Sequence, residues 1–236
     1  IVLALGPLVG SIAGGNVTFV KPASAARACS DLLCELIPKY LDPETTVCYA
    51  TARGHSGKLI PEIRFEHIFF TGGAVVGRQI MSDAAKHLSR LTLELGGKNP
   101  CYVEDGADVE HACARIMWAK NCNAGQICIN VDYILCSKNM QEKLIAGFKK
   151  YLKKFHPKEG GQFQSKDYCK QISSSRYQEL EGWMKRMPAH KLAIGGQKDP
   201  KRNVIETTIY KDVTDEDSIM EDEIFGPLMG ILPICN

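Results

Sequence analysis

No apolar run in this 236-residue chain reaches the roughly 18 residues that a helix needs to cross a bilayer. The first residues also lack a charged leader followed by a short apolar core. Charge of either sign is not in excess: 29 basic and 27 acidic residues leave a net +2, and no basic stripe is offered to nucleic acid. The densest positive stretch, Lys149, Lys150, Lys153, Lys154 and Lys158, follows an amphipathic helical pattern and reads as a solvated face. The ten cysteines contain no C-x-x-C pair, which argues against a disulfide framework and for a reducing, cytoplasmic setting. With the six histidines they show no metal-ligand spacing, so no metal is expected. The G-x-G-x-x-G dinucleotide fingerprint is missing too, as are internal repeats and low-complexity stretches.

What the chain does have is an alternation of short β-branched runs with helical patterns. Strands are expected at Val17–Val20, Thr46–Ala50, His67–Phe70 and Leu91–Glu94, with helices over 25–40 and 74–88. This is the order of a doubly wound layer that places its strand ends, and any ligand, on one edge. Past Gly96 the pattern changes. Strands are expected at 100–103, 131–136 and 191–194. Helices are expected over 109–120, with Ala112, Ile116 and Ala119 on one face, over 140–155, and over 175–187, the last capped by a serine. Residues 162–170 read as a loop. The predicted fold is therefore α/β in two parts, a doubly wound layer over 1–95 and a second α/β unit over 96–236, which the resemblance given below makes a Rossmann-like dinucleotide-binding domain and an α/β catalytic domain.

Cys128 closes the run Asn123-Ala124-Gly125-Gln126-Ile127-Cys128, and Glu94 stands 34 residues upstream in Leu93-Glu94-Leu95-Gly96-Gly97-Lys98. A thiolate is the attacking form of cysteine, so a reactive thiol needs a polar setting and a group to take its proton. Gly125 and Gln126 point to a tight, polar approach of backbone to the sulfur. Cys29, Cys34, Cys113, Cys122 and Cys136 lie in apolar or helical runs and read as small buried hydrophobes. Thr71-Gly72-Gly73, with Gly77 four residues on, suits helix amides facing a phosphate. The same glycines would serve a plain strand-to-helix turn, and these residues alone leave both readings open. Lys21, at a strand end, is placed to reach a ribose hydroxyl or to remain an exposed lysine.

Five ordered segments resemble the NAD(P)-dependent aldehyde dehydrogenases: Gly15-Asn16 with Val17-Thr18-Phe19-Val20-Lys21-Pro22, Phe70-Thr71-Gly72-Gly73 with Gly77, Leu93 to Lys98, Asn123 to Cys128, and Glu223-Ile224-Phe225-Gly226-Pro227. The runs Ala84-Ala85-Lys86-His87-Leu88, Pro100-Cys101-Tyr102-Val103 and Asp132-Tyr133-Ile134-Leu135-Cys136 are similar to the class 3 branch. The resemblance implies Cys128 as nucleophile and Glu94 as general base. It further implies a dinucleotide, NAD or NADP, held by Lys21, Thr71, Gly72, Gly73, Gly77, Leu95, Glu223 and Phe225. The substrate implied is a small-molecule aldehyde, oxidised to the acid through a thiohemiacetal and a thioester. Ser24 stands where the family commonly has a glutamate, so a 2′-phosphate meets no like charge there. Gly73 replaces a common serine.

The family's Pro-Trp-Asn motif would fall just before Ile1 and its dimer-forming segments after Asn236. The chain is accordingly expected to be an internal segment, poorly active alone, of a homodimer whose missing tail is also a place for a membrane anchor. Ile127 and Ile129 favour medium or long aliphatic or aromatic aldehydes, and core packing of both is an equal reading. Two other functions stay open: a thiol hydrolase pairing Cys128 with His111 or His87, and a catalytically silent dinucleotide-binding relative or scaffold.

Overall fold

The computed structural model describes residues 1–50 and 59–234; Cys235 and Asn236, at the expected chain end, lie outside the described residues. The chain divides into two compact units, Ile1–Gly96 and Gly97–Asn236.

The first unit opens with a helix that periodicity did not announce, α1 (Val2–Ala13). It starts without a side-chain cap and contains Pro7, Gly6 and Gly10, residues that weaken a helix; Leu8 is its buried residue. Next come β1 (Thr18–Val20), α2 (Arg27–Tyr40), β2 (Thr46–Cys48), α3 (Leu59–Glu62), β3 (His67–Thr71), α4 (Ala74–Ala85) and β4 (Arg90–Glu94). Each predicted strand and helix of this unit is present. α4 ends three residues before the expected 88, because Leu88 turns into the left-handed region at φ +56°. Among the described residues the strands form two parallel ribbons, β1 with β2 and β3 with β4, the latter in register from His67 opposite Arg90 to Thr71 opposite Glu94. Leu8, Val20 and Ile37 make a small core, with Leu33, Leu41 and Cys48 against it.

The second unit holds β5 (Asn99–Val103), α5 (Val109–Asn121), β6 (Val131–Cys136), α6 (Lys138–Phe155), α7 (Ser174–Arg186), β7 (Leu192–Ile194), β8 (Lys198–Asp199), β9 (Val204–Ile205), β10 (Thr208–Tyr210) and β11 (Leu228–Pro233). Five strands join in the order β5-β6-β11-β10-β7, parallel except for β7. The two-residue period of a strand sends neighbouring side chains to opposite faces. Ile209, Met229 and Ile231 pack with Cys113, Met117, Leu144 and Phe148 of α5 and α6. Tyr210 and Leu228 pack with Tyr177, Leu180 and Trp183 of α7. A mainly parallel sheet is stable in this form, covered on both faces.

Serine caps α6 and α7, Ser137 accepting from the Met140 amide and Ser173 from the Arg176 amide, so the cap of α7 is Ser173 rather than Ser175. The buried stripe of α5 is Cys113, Ile116, Met117 and Lys120; Ala112 and Ala119 are only half-buried. Of the five cysteines read as buried, Cys113 and Cys136 are, Cys34 is half-buried, and Cys29 and Cys122 are exposed. Among the described residues no helix is long and apolar enough to cross a membrane.

Candidate active site

Cys128 lies just past the carboxyl end of α5 in a turn that leads into β6. The chain reaches it through three consecutive left-handed residues, Asn123 (φ +51°), Ala124 (φ +51°) and Gly125 (φ +75°). Left-handed backbone is costly for a residue with a Cβ, and Asn123 and Gln126 offset that cost. The Asn123 side-chain amide donates to the Gln126 carbonyl at 2.9 Å, and the Gln126 amide donates back to the Asn123 carbonyl at 2.9 Å. Gln126 Nε2 also donates to the Lys170 carbonyl at 3.1 Å, and its Oε1 accepts from the Ile172 amide at 2.8 Å. A buried amide with these partners ties the turn to residues 170–172. The tight approach read from Gly125 is therefore made to Gly226, not to the sulfur: a Cβ on Gly125 would sit 2.0 Å from the Gly226 carbonyl oxygen.

Two neighbours fix the backbone of Cys128. Asn99 Nδ2, at the start of β5, donates to the Cys128 carbonyl at 2.7 Å and to that of Asn130 at 3.0 Å. Gly97 lies against the same carbonyl, where a Cβ would come to 2.6 Å. The Gly97 amide in turn donates to Glu223 Oε1 at 3.0 Å. Cys128 and Glu223 are thus brought to either side of one glycine. Cys128 is half-buried, and Ile129 beside it is 81% exposed, which removes core packing as the role of Ile129.

The segment carrying Glu223 and Phe225 is held by buried and half-buried charges that sequence reasoning missed. Lys98 Nζ donates to the carbonyls of Ile219 (2.5 Å) and Asp222 (2.7 Å). Arg176 on α7 donates to the carbonyls of Glu223 and Ile224. Asp132 on β6 accepts from the Ile224 amide at 3.0 Å and lies 3.8 Å from Lys98 and 3.9 Å from Lys120. Lys120, fully buried, donates to the Gly226 carbonyl at 3.4 Å. Burial lowers the Lys120 ammonium to about 8 in spite of Asp132. Burial likewise raises Asp132 and Glu223 above the ordinary carboxylate range. A lysine continuing the apolar stripe of α5 at Ile116, Met117 and Lys120 is the one local signal that marked this network. Arg176 has no such signal, because its partners lie about 47 residues away.

In the first unit the structure brings together Thr71, Gly72, Gly73, Gly77, Glu94 and Leu95. The Gly72 amide donates to the Glu94 carbonyl at 3.0 Å, and Glu94 is exposed at the end of β4. A Cβ on Gly77 would meet Leu95 Cδ2 at 2.8 Å, so these two are packed in contact. Gly73 is the N-cap of α4; no side chain caps the helix, and nothing lies within 4 Å of a Cβ placed there. The first-turn amides of α4 are consequently open to an anion. Lys21 follows β1 and donates to the Pro22 carbonyl at 3.0 Å, and burial lowers its ammonium.

The two histidines of the hydrolase reading fall in different units. His111 is in the first turn of α5, its amide capped by Asp108; with Asn121 ending that helix, it stands about 15 Å along the axis from the turn that leads to Cys128. His87 Nε2 is engaged with the Pro61 carbonyl at 3.0 Å. Among the described residues no group of three or more His, Cys, Asp or Glu is arranged to hold a metal ion.

Comparison with known proteins adds a family. The model described as "Aldehyde dehydrogenase family" matches residues 1–236. The chain is 40% identical over 238 residues to aldehyde dehydrogenase family 3 member B1 of Rattus norvegicus, covering 99% of this chain and 49% of that protein. It is 41% identical over 226 residues to the dimeric NADP-preferring aldehyde dehydrogenase of Canis lupus familiaris, with 96% and 49% covered. Among solved structures it is similar to the substrate-bound AldH of Staphylococcus aureus, with TM-score 0.89, 31% identity, and 98% and 49% covered. The chain spans about half the length of the curated relatives it matches.

Proposed function

This chain belongs to the aldehyde dehydrogenase family, and we propose that the whole protein oxidises an aldehyde to a carboxylic acid with NAD or NADP. The observation that carries this reading is the left-handed turn at 123–125, which presents Cys128 one glycine away from Glu223.

In this reading Cys128 is the nucleophile. Its sulfur adds to the aldehyde carbon to give a thiohemiacetal; loss of hydride leaves a thioester, which water hydrolyses. Glu94, exposed at a strand end, is the general base for the thiol or for that water. The tetrahedral oxyanion of each half needs donors, and a single lost donor costs about 100- to 1000-fold in rate. The residues present fit a dinucleotide: the uncapped amides of α4 after Thr71, Gly72 and Gly73 suit its phosphates, with Gly77 packed on Leu95 to set the helix. Lys21 suits the adenosine ribose. Glu223 and Phe225 suit the nicotinamide side. When bound, the nicotinamide supplies the hydride acceptor. Residues 1–95 are thus assigned to dinucleotide binding and 96–236 to the thiol chemistry. Ser24 in place of a glutamate supports tolerance of NADP, as does the NADP-preferring relative. The exposed Ile129 supports apolar aliphatic or aromatic aldehydes. A cytoplasmic homodimer is proposed from the dimeric relative and the many free thiols.

The test is NAD(P)H formation by the natural full-length protein with a panel of aldehydes, beside its Cys128→Ala variant. Aldehyde-dependent reduction that vanishes in the variant is expected. A folded, dinucleotide-binding protein without reduction would overturn the reading in favour of a silent relative.

A further inference from the structure

In the first unit two half-buried thiols touch. The Cys34 sulfur on α2 lies 3.4 Å from the Cys48 sulfur at the end of β2. Nothing in the aldehyde chemistry uses either residue. Of the other cysteines among the described residues, Cys113 and Cys136 are sealed in the core of the second unit, Cys101 and Cys128 are half-buried, and Cys29, Cys122 and Cys169 are exposed.

We propose that Cys34 and Cys48 form a redox-active dithiol that hydrogen peroxide converts to an intramolecular disulfide. A disulfide needs its sulfurs at about 2.05 Å, so closing the contact takes a movement of about 1.4 Å. Small side-chain rotations supply that movement without moving α2 from β2. The packing supports the approach: Cys48 lies against Leu8, Val20 and Ile37, and Ile37 is one turn beyond Cys34 on α2. Half-burial leaves the sulfurs within reach of a molecule as small as peroxide.

The chemistry balances. Cys34, as thiolate, attacks one peroxide oxygen; the O–O bond breaks, giving a sulfenic acid at Cys34 and one water once the thiol proton is counted. The Cys48 sulfur then attacks the Cys34 sulfur, the S–O bond breaks, and the hydroxyl leaves as a second water with the Cys48 proton. Two thiols are oxidised and one peroxide is reduced to two waters. Burial first, then the contact with Cys34, pushes the Cys48 thiol up, which assigns the first attack to Cys34. Cys48 is also paired in register with Val20, the residue before Lys21. The cross-link therefore closes the chain over residues 35–47 beside the strand end that carries Lys21.

The test uses the full-length protein in a Cys128→Ser background, which removes the competing thiol of the turn, exposed to hydrogen peroxide and then unfolded in an alkylating reagent. The expected result is a peptide pair joined through Cys34 and Cys48, lighter by two hydrogens and restored by dithiothreitol. It should be absent in Cys34→Ala and Cys48→Ala. In Cys48→Ala, dimedone should label Cys34. The proposal is overturned if both residues stay alkylatable at a peroxide dose that oxidises exposed Cys29 and Cys122. It is equally overturned if Cys34 pairs with Cys29. The readout is mass, so it is independent of aldehyde turnover.

Discussion

Gly125 and Gly226 meet backbone to backbone: the Gly226 carbonyl oxygen occupies the place, 2.0 Å away, into which a Cβ on Gly125 would project. The turn before Cys128 and the segment after Phe225 can close only because Gly125 lacks a side chain; a Cβ on Gly226 would instead meet Leu180 Cδ1 at 2.6 Å. Gly125→Ala also carries the cost of φ +75°. We expect it to destabilise the second unit by about 2–4 kcal/mol, combining left-handed strain with overpacking. Denaturant unfolding checks this, and a loss below about 0.5 kcal/mol would show that the two backbones part easily.

Gln126 satisfies two carbonyls and one amide from inside the turn. Gln126→Ala leaves them without partners, and a cost of about 1–3 kcal/mol is expected. Because the turn sets the position of Cys128, aldehyde turnover should fall further than stability does. Equal Tm and unchanged kcat in the variant would count against the clamp.

Lys120 gives a pH prediction. Burial brings its ammonium in the folded protein down to about 8, below the ordinary lysine value of 10.5, so between those values the unfolded chain holds the proton and the folded chain does not. Stability from this group therefore rises as pH increases from about 8 to about 10.5, by about 3 kcal/mol in all. Lys120→Met removes that rise. Urea unfolding of both proteins at pH 7.5 and pH 10.5 should show the wild type gaining relative to the variant, and parallel pH curves would contradict the assignment.

Glu223 is half-buried, accepts from the Gly97 amide, and is raised above the usual glutamate range by burial. Glu223→Gln keeps an acceptor but loses the charge. A charged hydrogen bond exceeds a neutral one by about 1 kcal/mol, so KM for the dinucleotide should rise about five- to tenfold, with kcat changing less. Wild-type affinity should weaken as pH falls through the raised Glu223 value, where the carboxylate takes up a proton, and the variant should lack that limb. Dinucleotide binding followed across pH 4–7 decides it.

Elements with strong periodicity were legible in the sequence. α5 and α6 carry apolar residues at three- and four-residue spacing and start at or within two residues of the expected positions. α1 was not, because an apolar run with proline and glycine has no polar face to give it a period. β8, β9 and β10 are two or three residues long, and β10 is buried throughout, so no alternation marks them. Cys128, Glu223 and Phe225 stood out through their motifs. The charges that hold them, Lys98, Lys120, Asp132 and Arg176, act across 92 to 124 residues in several cases, and such contacts leave no local spacing to read.

The order of the sheet also dictates a schedule. β11 comes last in sequence among the five strands of this sheet but stands in the middle, between β6 and β10. During synthesis β5 can join β6, and β7 can join β10, as two separate patches with bare inner edges. Only when Leu228–Pro233 leaves the ribosome can they become one sheet. Nascent chains halted before residue 228 thus leave the inner edges of β6 and β10 both bare, and a chaperone has two edges to cover.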